Sequence, residues 1–236
     1  MNVKLVKHAI KQFAKKHRQT FYEVGSRQTQ LFELGGAVGV IQHHRSAGYH
    51  ISFSHPGKGN RFRIKASTRG HPCDYSRVIC ERKEAIFELH FNVATRGAHD
   101  DGIYVVDVGA VKSGSIPLIR PKGSWVAIKN DSLITFAEIK KLVVYPMLLA
   151  QFFGIVHEIR PDFLQQPAPQ GFGPNDMMPP TLLALGHLSG NSSVIIDGFQ
   201  IRGFTILVLP TFDMRLSRAA QDASLSPLYM TNATGE

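Results

Sequence analysis

The sequence has few cysteines and lacks the short motifs that identify several common chemistries. Cys73 and Cys80 are the only two cysteines, and they form no C-x-x-C pair, so no disulfide framework is expected. Two structural thiols indicate a reducing compartment, and we expect the cytoplasm. The patterns G-x-x-x-x-G-K-S/T, G-x-G-x-x-G and G-x-S-x-G are also absent. Their absence argues against nucleotide hydrolysis through a P-loop.

Long hydrophobic runs are missing as well. The longest, Leu142–Val156, has 15 residues and contains Pro146 and Gln151, whereas a membrane-spanning helix needs about 20 apolar residues. Lysines interrupt every apolar run before residue 20, so we expect no signal peptide. We predict a buried helix for the longest run and no membrane partner.

Acidic residues are in the minority. The chain has 18 Asp and Glu against 27 Lys and Arg, which gives a formal net charge of +9. A cationic surface attracts phosphate backbones through the release of counterions, so nucleic acid is a favoured partner. Hydrophobic residues make up 43% of the chain, which predicts a globular protein rather than a disordered one. The alternative is a basic soluble protein without a polyanionic partner.

Residue periodicity predicts helices and strands along most of the chain. A basic amphipathic helix is expected at 3–18, and a second helix from Ser26 to about His44. Strands are predicted at Tyr49–Phe53, Arg61–Ala66, Arg77–Cys80, Ala85–Val93, Ile103–Val108, Leu182–Leu185 and Phe204–Leu209. A hairpin is predicted from Trp125–Ile128 and Leu133–Ile139, followed by a helix that begins at Pro146 and reaches about Glu158.

These elements predict an α/β fold in which a central mixed β-sheet is flanked by helices. We divide the chain into an N-terminal basic helix at 1–25, a single α/β domain at 26–212 and a C-terminal tail at 213–236. The domain contains a Pro-rich loop at 161–180, where six prolines and two glycines disfavour regular structure.

The most informative residues are a carboxylate and an amine at the end of an apolar strand. Glu138 and Lys140 lie two positions apart in Leu133–Lys141, so both point to the same side of the predicted strand. Charged groups at the end of an apolar strand cost free energy to bury, so their presence indicates a specific role. Lys140 beside a metal would hold an attacking water or stabilise the charge that builds on a phosphate.

Aspartates upstream offer the oxygen ligands that Mg²⁺ prefers. Asp100 and Asp101 precede the predicted strand at 103–108, and Asp107 lies on it with the same parity as Asp101. We expect Asp101 and Glu138 to supply two carboxylates to Mg²⁺ (or Mn²⁺), with Asp107 as a rival for Asp101. The backbone carbonyl of Ile139 would add a third oxygen.

Together these residues resemble the PD-(D/E)XK, or restriction-endonuclease-like, nuclease superfamily. The similarity is carried by Asp101, the apolar strand after it and the Phe136–Lys140 segment, and it covers roughly residues 26–160. It implies a restriction-endonuclease-like fold in which Asp101 and Glu138 bind Mg²⁺ and Lys140 assists hydrolysis. Glu138 follows Asp101 by 37 positions, and this spacing requires an extra strand, at 125–128, within the superfamily pattern. Gln151 resembles a helix glutamine of some relatives.

Further polar residues each have two interpretations. Glu88 and His90 alternate with apolar residues, so they either extend the metal site or line a solvated face of the sheet. Glu33 on the second predicted helix either reaches the site or is exposed. For DNA, the basic residues expected to contact phosphates are Lys58, Arg61, Arg63, Lys65, Lys112, Lys122 and Lys141. Arg61, Arg63 and Lys65 would share one strand face.

The sequence therefore predicts a Mg²⁺-dependent DNA endonuclease. The resemblance also suggests a homodimer, with one site for each strand of a duplex. The alternative is a non-catalytic nucleic-acid-binding or assembly protein that retains a degenerate nuclease fold. Cleavage and binding assays on the same DNA distinguish the two.

Overall fold

The computed structural model describes residues 28–56, 61–119, 122 and 127–212, together with residues 8, 10–12, 15, 20 and 21. Most of the predicted helix at 3–18, the N-terminal cap at Ser26, Lys58 and the tail at 213–236 lie outside these residues. None of the helices in the described part combines the length and the apolarity that crossing a bilayer requires.

Nine strands and three α-helices have described bounds, and residues 8, 10–12 and 15 are also helical. The strands are β1 (Thr20–Phe21), β2 (His50–Ser54), β3 (Arg61–Phe62), β4 (Arg77–Arg82), β5 (Ala85–Arg96), β6 (Ile103–Lys112), β7 (Leu133–Lys140), β8 (Thr181–Ala184) and β9 (Leu207–Leu209). The helices are α1 (Gln28–Ser46), α2 (Pro146–Ile159) and α3 (Ser192–Ile201). The long strands and α2 begin close to where residue periodicity places them.

Seven of the strands form one mixed sheet in the order β2-β4-β5-β6-β7-β8-β9. Strands β2 to β7 pair antiparallel, while β8 and β9 continue the sheet in parallel with β7. A separate parallel pair joins β1 to β3. This confirms the predicted class, a mixed β-sheet flanked by helices.

The sheet separates two apolar cores. On one side, α1 packs through residues such as Val38 and Ile41 against Phe87, Leu89 and Ile139 of the sheet. On the other side, α2 and α3 cover a second core. Because both faces are covered, the central strands are apolar along most of their length, and a charged side chain within them needs a specific explanation.

Two predicted strand segments differ from the structure. Strand β3 ends at Phe62 instead of Ala66, and Lys65 beyond its end is buried. The predicted hairpin is also wrong: Ile128 bridges to Thr95 in β5, and β7 pairs with β6. No strand therefore separates β6 from β7 in the sheet, although residues 123–126 lie outside the described part.

Helix α3 occupies a segment for which residue periodicity predicts no element. It begins at Ser192, whose hydroxyl donates a hydrogen bond to the Val144 carbonyl at 2.9 Å. Most of the predicted loop at 161–180 is irregular, apart from a 3₁₀ turn at Pro161–Leu164.

Candidate active site

Strand β7 presents the two charged residues that the sequence singles out. Ala137 and Ile139 pack in the core beneath α1, so Glu138 and Lys140 share the other side of the strand. Pairing with β6 on one side and β8 on the other places β7 inside the sheet. Glu138 is only 3% exposed, whereas the Lys140 side chain is 34% exposed and reaches solvent.

Asp107 on β6 is the aspartate that lies beside them. The last ladder pair between the two strands joins Val108 to Ala137, so Asp107 comes next to Glu138 across the sheet. Its Oδ2 accepts hydrogen bonds from the Ile139 backbone N–H at 2.7 Å and from Lys140 Nζ at 2.9 Å. Asp107 thus accepts from a backbone N–H that lies beyond the last β6–β7 ladder pair.

Lys140 bridges the two carboxylates. Its Nζ lies 2.6 Å from Glu138 Oε2, in addition to its contact with Asp107. Burial alone would lower the pKa of Lys140, but the negative charges of Glu138 and Asp107 outweigh it and raise that pKa. Lys140 is therefore held as a cation between two acids.

One ammonium does not neutralise two carboxylates. Burial, reinforced by the negative charge of Asp107, raises the pKa of Glu138 to about 7, although Lys140 acts in the opposite direction. The second oxygen of Glu138, Oε1, is buried and has no hydrogen-bond partner among the described residues. An unsatisfied buried carboxylate oxygen is unfavourable, and a cation at this position would remove the penalty.

Helix α1 adds a third acid near the cluster. A Cβ on Gly36 would lie 2.8 Å from Ile139 Cδ1, so the helix can approach β7 this closely only with glycine there. Glu33 is one turn earlier, on the same face as Gly36. Burial and then the charge of Asp107 raise the pKa of Glu33, while the charge of Lys140 lowers it. Glu33 therefore lies within electrostatic reach of Asp107 and Lys140.

The predicted ligand Asp101 lies elsewhere. Its side chain is 95% exposed and forms an ion pair with Arg96 at 3.0 Å in the turn between β5 and β6. Asp101 precedes Asp107 by six residues, about 20 Å in an extended strand. Asp100 also belongs to this turn, where its Oδ1 accepts the Gly102 N–H at 2.8 Å. Asp107, the rival, replaces Asp101 in the cluster.

Glu88 and His90 form a different buried group. Glu88 accepts hydrogen bonds from Arg77 at 3.2 Å and from His90 at 2.9 Å, while Ser113 and the Gly114 N–H contact its other oxygen. Burial raises the pKa of Glu88, but these partners outweigh it and hold that pKa below its usual value. Neither reading from the sequence fits: the pair is buried and does not contact the Glu138 cluster.

The remaining predicted residues are mostly at the surface. Gln151 is exposed on α2, and Arg63, Lys112, Lys122 and Lys141 are also exposed. Lys65 is an exception, because it is only 3% exposed and donates to the backbone carbonyls of Ser67, Thr68 and Asn92. The predicted row of basic residues on one strand face is therefore wrong for Lys65.

The donor set limits which metals the cluster fits. Among the described residues, no group of three or more His, Cys, Asp or Glu side chains is placed to hold a metal ion. Zinc, which takes several nitrogen or sulfur ligands, is a poor match. Mg²⁺ takes one or two carboxylates and keeps several waters, which fits Asp107 and the free oxygen of Glu138.

Comparison of the chain with models of protein families, with curated proteins and with solved structures finds no match in any of the three. The resemblance to the restriction-endonuclease-like superfamily therefore remains a prediction from the sequence.

Proposed function

We propose that this chain is a Mg²⁺-dependent DNA endonuclease with a restriction-endonuclease-like core. The observation that carries the proposal is the meeting of Asp107, Glu138 and Lys140 on adjacent strands, where one buried oxygen of Glu138 has no hydrogen-bond partner in the described part of the chain. Two hard oxygen donors and one amine on a rigid sheet are the groups that metal-assisted phosphodiester hydrolysis needs.

Asp107 and Glu138 would hold the metal, and the Ile139 carbonyl would add the third oxygen predicted from the sequence. When bound, Mg²⁺ supplies positive charge that activates water and neutralises charge on the phosphate. The buried Oε1 of Glu138 supports this assignment, because most buried polar side-chain atoms are hydrogen-bonded and this one has no partner among the described residues. Mn²⁺ prefers the same oxygen ligands and serves as an experimental substitute.

Lys140 has the geometry of a positioned amine. Its two contacts, at 2.6 Å and 2.9 Å, fix the ammonium at the solvent-facing edge of the cluster. There it would orient a water molecule or stabilise negative charge on the phosphate as the transition state forms. Asp107 would have a second role, because the same Oδ2 contacts Lys140 and the Ile139 N–H and so sets the position of the amine.

The charge of the chain supports DNA as the substrate. The net charge is +9, and Lys141 is exposed directly after Lys140. Exposed cations contact phosphates without regard to sequence and hold a duplex in register. Arg63, Lys112 and Lys122 are further exposed candidates, whereas Lys65 takes no part.

The test is cleavage of supercoiled plasmid and of labelled duplex and single-stranded oligonucleotides in Mg²⁺, Mn²⁺ or EDTA. We expect cleavage in either metal and none in EDTA. Lys140→Met should reduce the rate by about 10²–10³-fold, the usual cost of losing one group that stabilises the transition state. Glu138→Gln should abolish cleavage. Lys129→Met, an exposed lysine before β7, is the matched control and should cleave normally.

The alternative function gives a different result in the same experiment. A non-catalytic binding protein would retain DNA in gel-shift assays and leave every substrate intact in both metals. Persistent binding without cleavage, together with no Mn²⁺ binding in calorimetry, would replace the endonuclease proposal with this one.

A further inference from the structure

The alternation of side chains along β5 and β6 breaks beside the candidate site. The ladder pairs Phe91 with Val108 and Val93 with Val106, which places Asn92 opposite Asp107. In a regular strand, residues two apart share a side. Here Phe91 and Val108 pack in the core beneath α1, whereas Val93 and Val106 pack in the opposite core. The alternation of side chains is therefore interrupted at Asn92 in β5 and at Asp107 in β6, and this interruption is called the kink below.

The backbone of Asn92 shows how the kink is made. Its φ is +47°, in the left-handed region that most side chains avoid and that Asn tolerates better than most. A valine or another β-branched residue would resist this conformation, while glycine would adopt it freely.

Lys65, which lies outside the seven-stranded sheet, forms hydrogen bonds that stabilise the kink. Its buried ammonium donates to the Asn92 carbonyl at 2.7 Å, and the Asn92 side-chain amide donates back to the Lys65 carbonyl at 2.8 Å. The carbonyls of Ser67 and Thr68 accept the other two donors of the ammonium, at 2.7 Å and 3.1 Å. All three donors of Lys65 are thus used on backbone oxygens.

We propose that Lys65 and Asn92 are positioning residues, which hold the kink that aims the Asp107 carboxylate at Ile139 and Lys140. The ladder between β6 and β7 stops at Val108, and Asp107 offers its side chain to the next backbone donor. Val106 faces the second core, so regular alternation continued from Val106 would point Asp107 towards the core beneath α1, away from Lys140. The inference rests on the proposed metal site and assigns part of its geometry to residues that do not touch it.

Two substitutions at one position separate the backbone conformation from the side-chain contact. Asn92→Gly and Asn92→Val both remove the amide that bonds Lys65, but only valine opposes a φ of +47°. With Mn²⁺ as the probe in titration calorimetry, Asn92→Gly should stay within about twofold of the wild-type affinity. Asn92→Val should bind about tenfold more weakly or worse, the usual cost of losing a group that orients a metal ligand.

A control must show that lost stability alone does not explain the result. Phe163→Leu removes volume from a buried side chain of the second core, under the Arg160 guanidinium that bonds the Leu133 carbonyl at the opposite end of β7 from Glu138. It should lower the unfolding temperature and leave Mn²⁺ affinity unchanged, with every variant measured well below its own unfolding temperature. Lys65→Met, which removes the ammonium, should weaken Mn²⁺ binding as Asn92→Val does, and it replaces that variant if the valine chain does not fold.

The outcomes distinguish the two proposals. If the wild-type chain binds no Mn²⁺, the metal site fails and the positioning role fails with it. If the wild type binds Mn²⁺ and the folded Asn92→Val or Lys65→Met chain binds equally well, the site survives and the positioning role is overturned. Weak binding by Phe163→Leu at matched stability would also overturn it.

Discussion

Replacing Glu138 by glutamine should make the protein more stable at alkaline pH. The carboxyl group is buried, and a pKa of about 7 instead of 4.5 means that the folded chain favours the protonated form. Such a group contributes stability that is fully present below pH 4.5 and is lost as the pH rises through about 7. Glutamine imitates the protonated acid at every pH, because its carbonyl can accept from Lys140 while its amide donates towards Asp107.

The size of the effect follows from the pKa. At about 1.4 kcal/mol for each tenfold change in an equilibrium constant, a pKa raised from 4.5 to about 7 corresponds to about 3 kcal/mol above pH 8. For a chain of this size, each kcal/mol moves the unfolding temperature by about 2–4 °C. Glu138→Gln should therefore unfold about 6–12 °C higher than wild type at pH 8.5 in EDTA, and at the same temperature as wild type at pH 4.

A divalent metal should remove most of this difference. A ligand at one hundred times its dissociation constant stabilises the folded state by about 2.7 kcal/mol, so Mn²⁺ should recover most of the stability that wild type lacks at pH 8.5. Glu138→Gln has lost a ligand and should gain little. Calorimetric unfolding scans at three pH values, with EDTA or Mn²⁺, measure both effects.

The control for this experiment is Glu84→Gln, which changes an exposed glutamate and should follow wild type under every condition. The reasoning is refuted if Glu138→Gln is less stable than wild type at pH 8.5 in EDTA. Equal stabilisation of both chains by Mn²⁺ would show that the metal binds somewhere other than Glu138.

Three further predictions test the geometry around the cluster. Asp107→Asn should weaken Mn²⁺ binding by more than the roughly tenfold that changes outside the metal ligands cost, while Asp101→Asn should leave the affinity unchanged. The reverse order of affinities in calorimetry would restore Asp101 as the ligand. Glu33→Gln removes a negative charge near Asp107, so the pH midpoint of Mn²⁺ binding should move to lower pH, and an unmoved midpoint would place Glu33 outside the site. Gly36→Ala should destabilise the chain by about 1–3 kcal/mol through overpacking against Ile139, before any gain in helix propensity. The added methyl group of Gly154→Ala meets open space, so this variant should be more stable by about 0.5–1 kcal/mol in thermal unfolding.

The pairing of Glu138 with Lys140 could be predicted because it depends only on local geometry. Side chains two apart on a strand share a side in any sheet. The choice between Asp101 and Asp107 could not be made in the same way, since both have the same parity. It depends on the register between β6 and β7, in which Val108 pairs with Ala137. That register is set by the loop between the strands together with the rest of the sheet.

Burial of charge was the other property that the sequence could not reveal. Lys65 continues the alternation of Arg61 and Arg63, yet the chain leaves the strand after Phe62 and turns the amine inwards to backbone carbonyls. Glu88 alternates with apolar neighbours as a solvated residue would, yet Arg77 on β4 comes close enough to pair with it inside the protein. In both cases the partners are distant in sequence, so no local pattern shows them.

The contrast between the two buried glutamates is the strongest physical argument for a function at Glu138. Both lie within the same sheet and are almost inaccessible to solvent. Glu88 has partners on both oxygens, and its pKa is lowered, as expected of a structural ion pair. Glu138 shares one ammonium with Asp107, keeps an unpartnered oxygen and has a raised pKa. The same sheet can thus satisfy a buried carboxylate fully, so the deficit at Glu138 is not a general cost of burial. It is a deficit of positive charge next to a solvent-reaching lysine, which a bound divalent cation would supply.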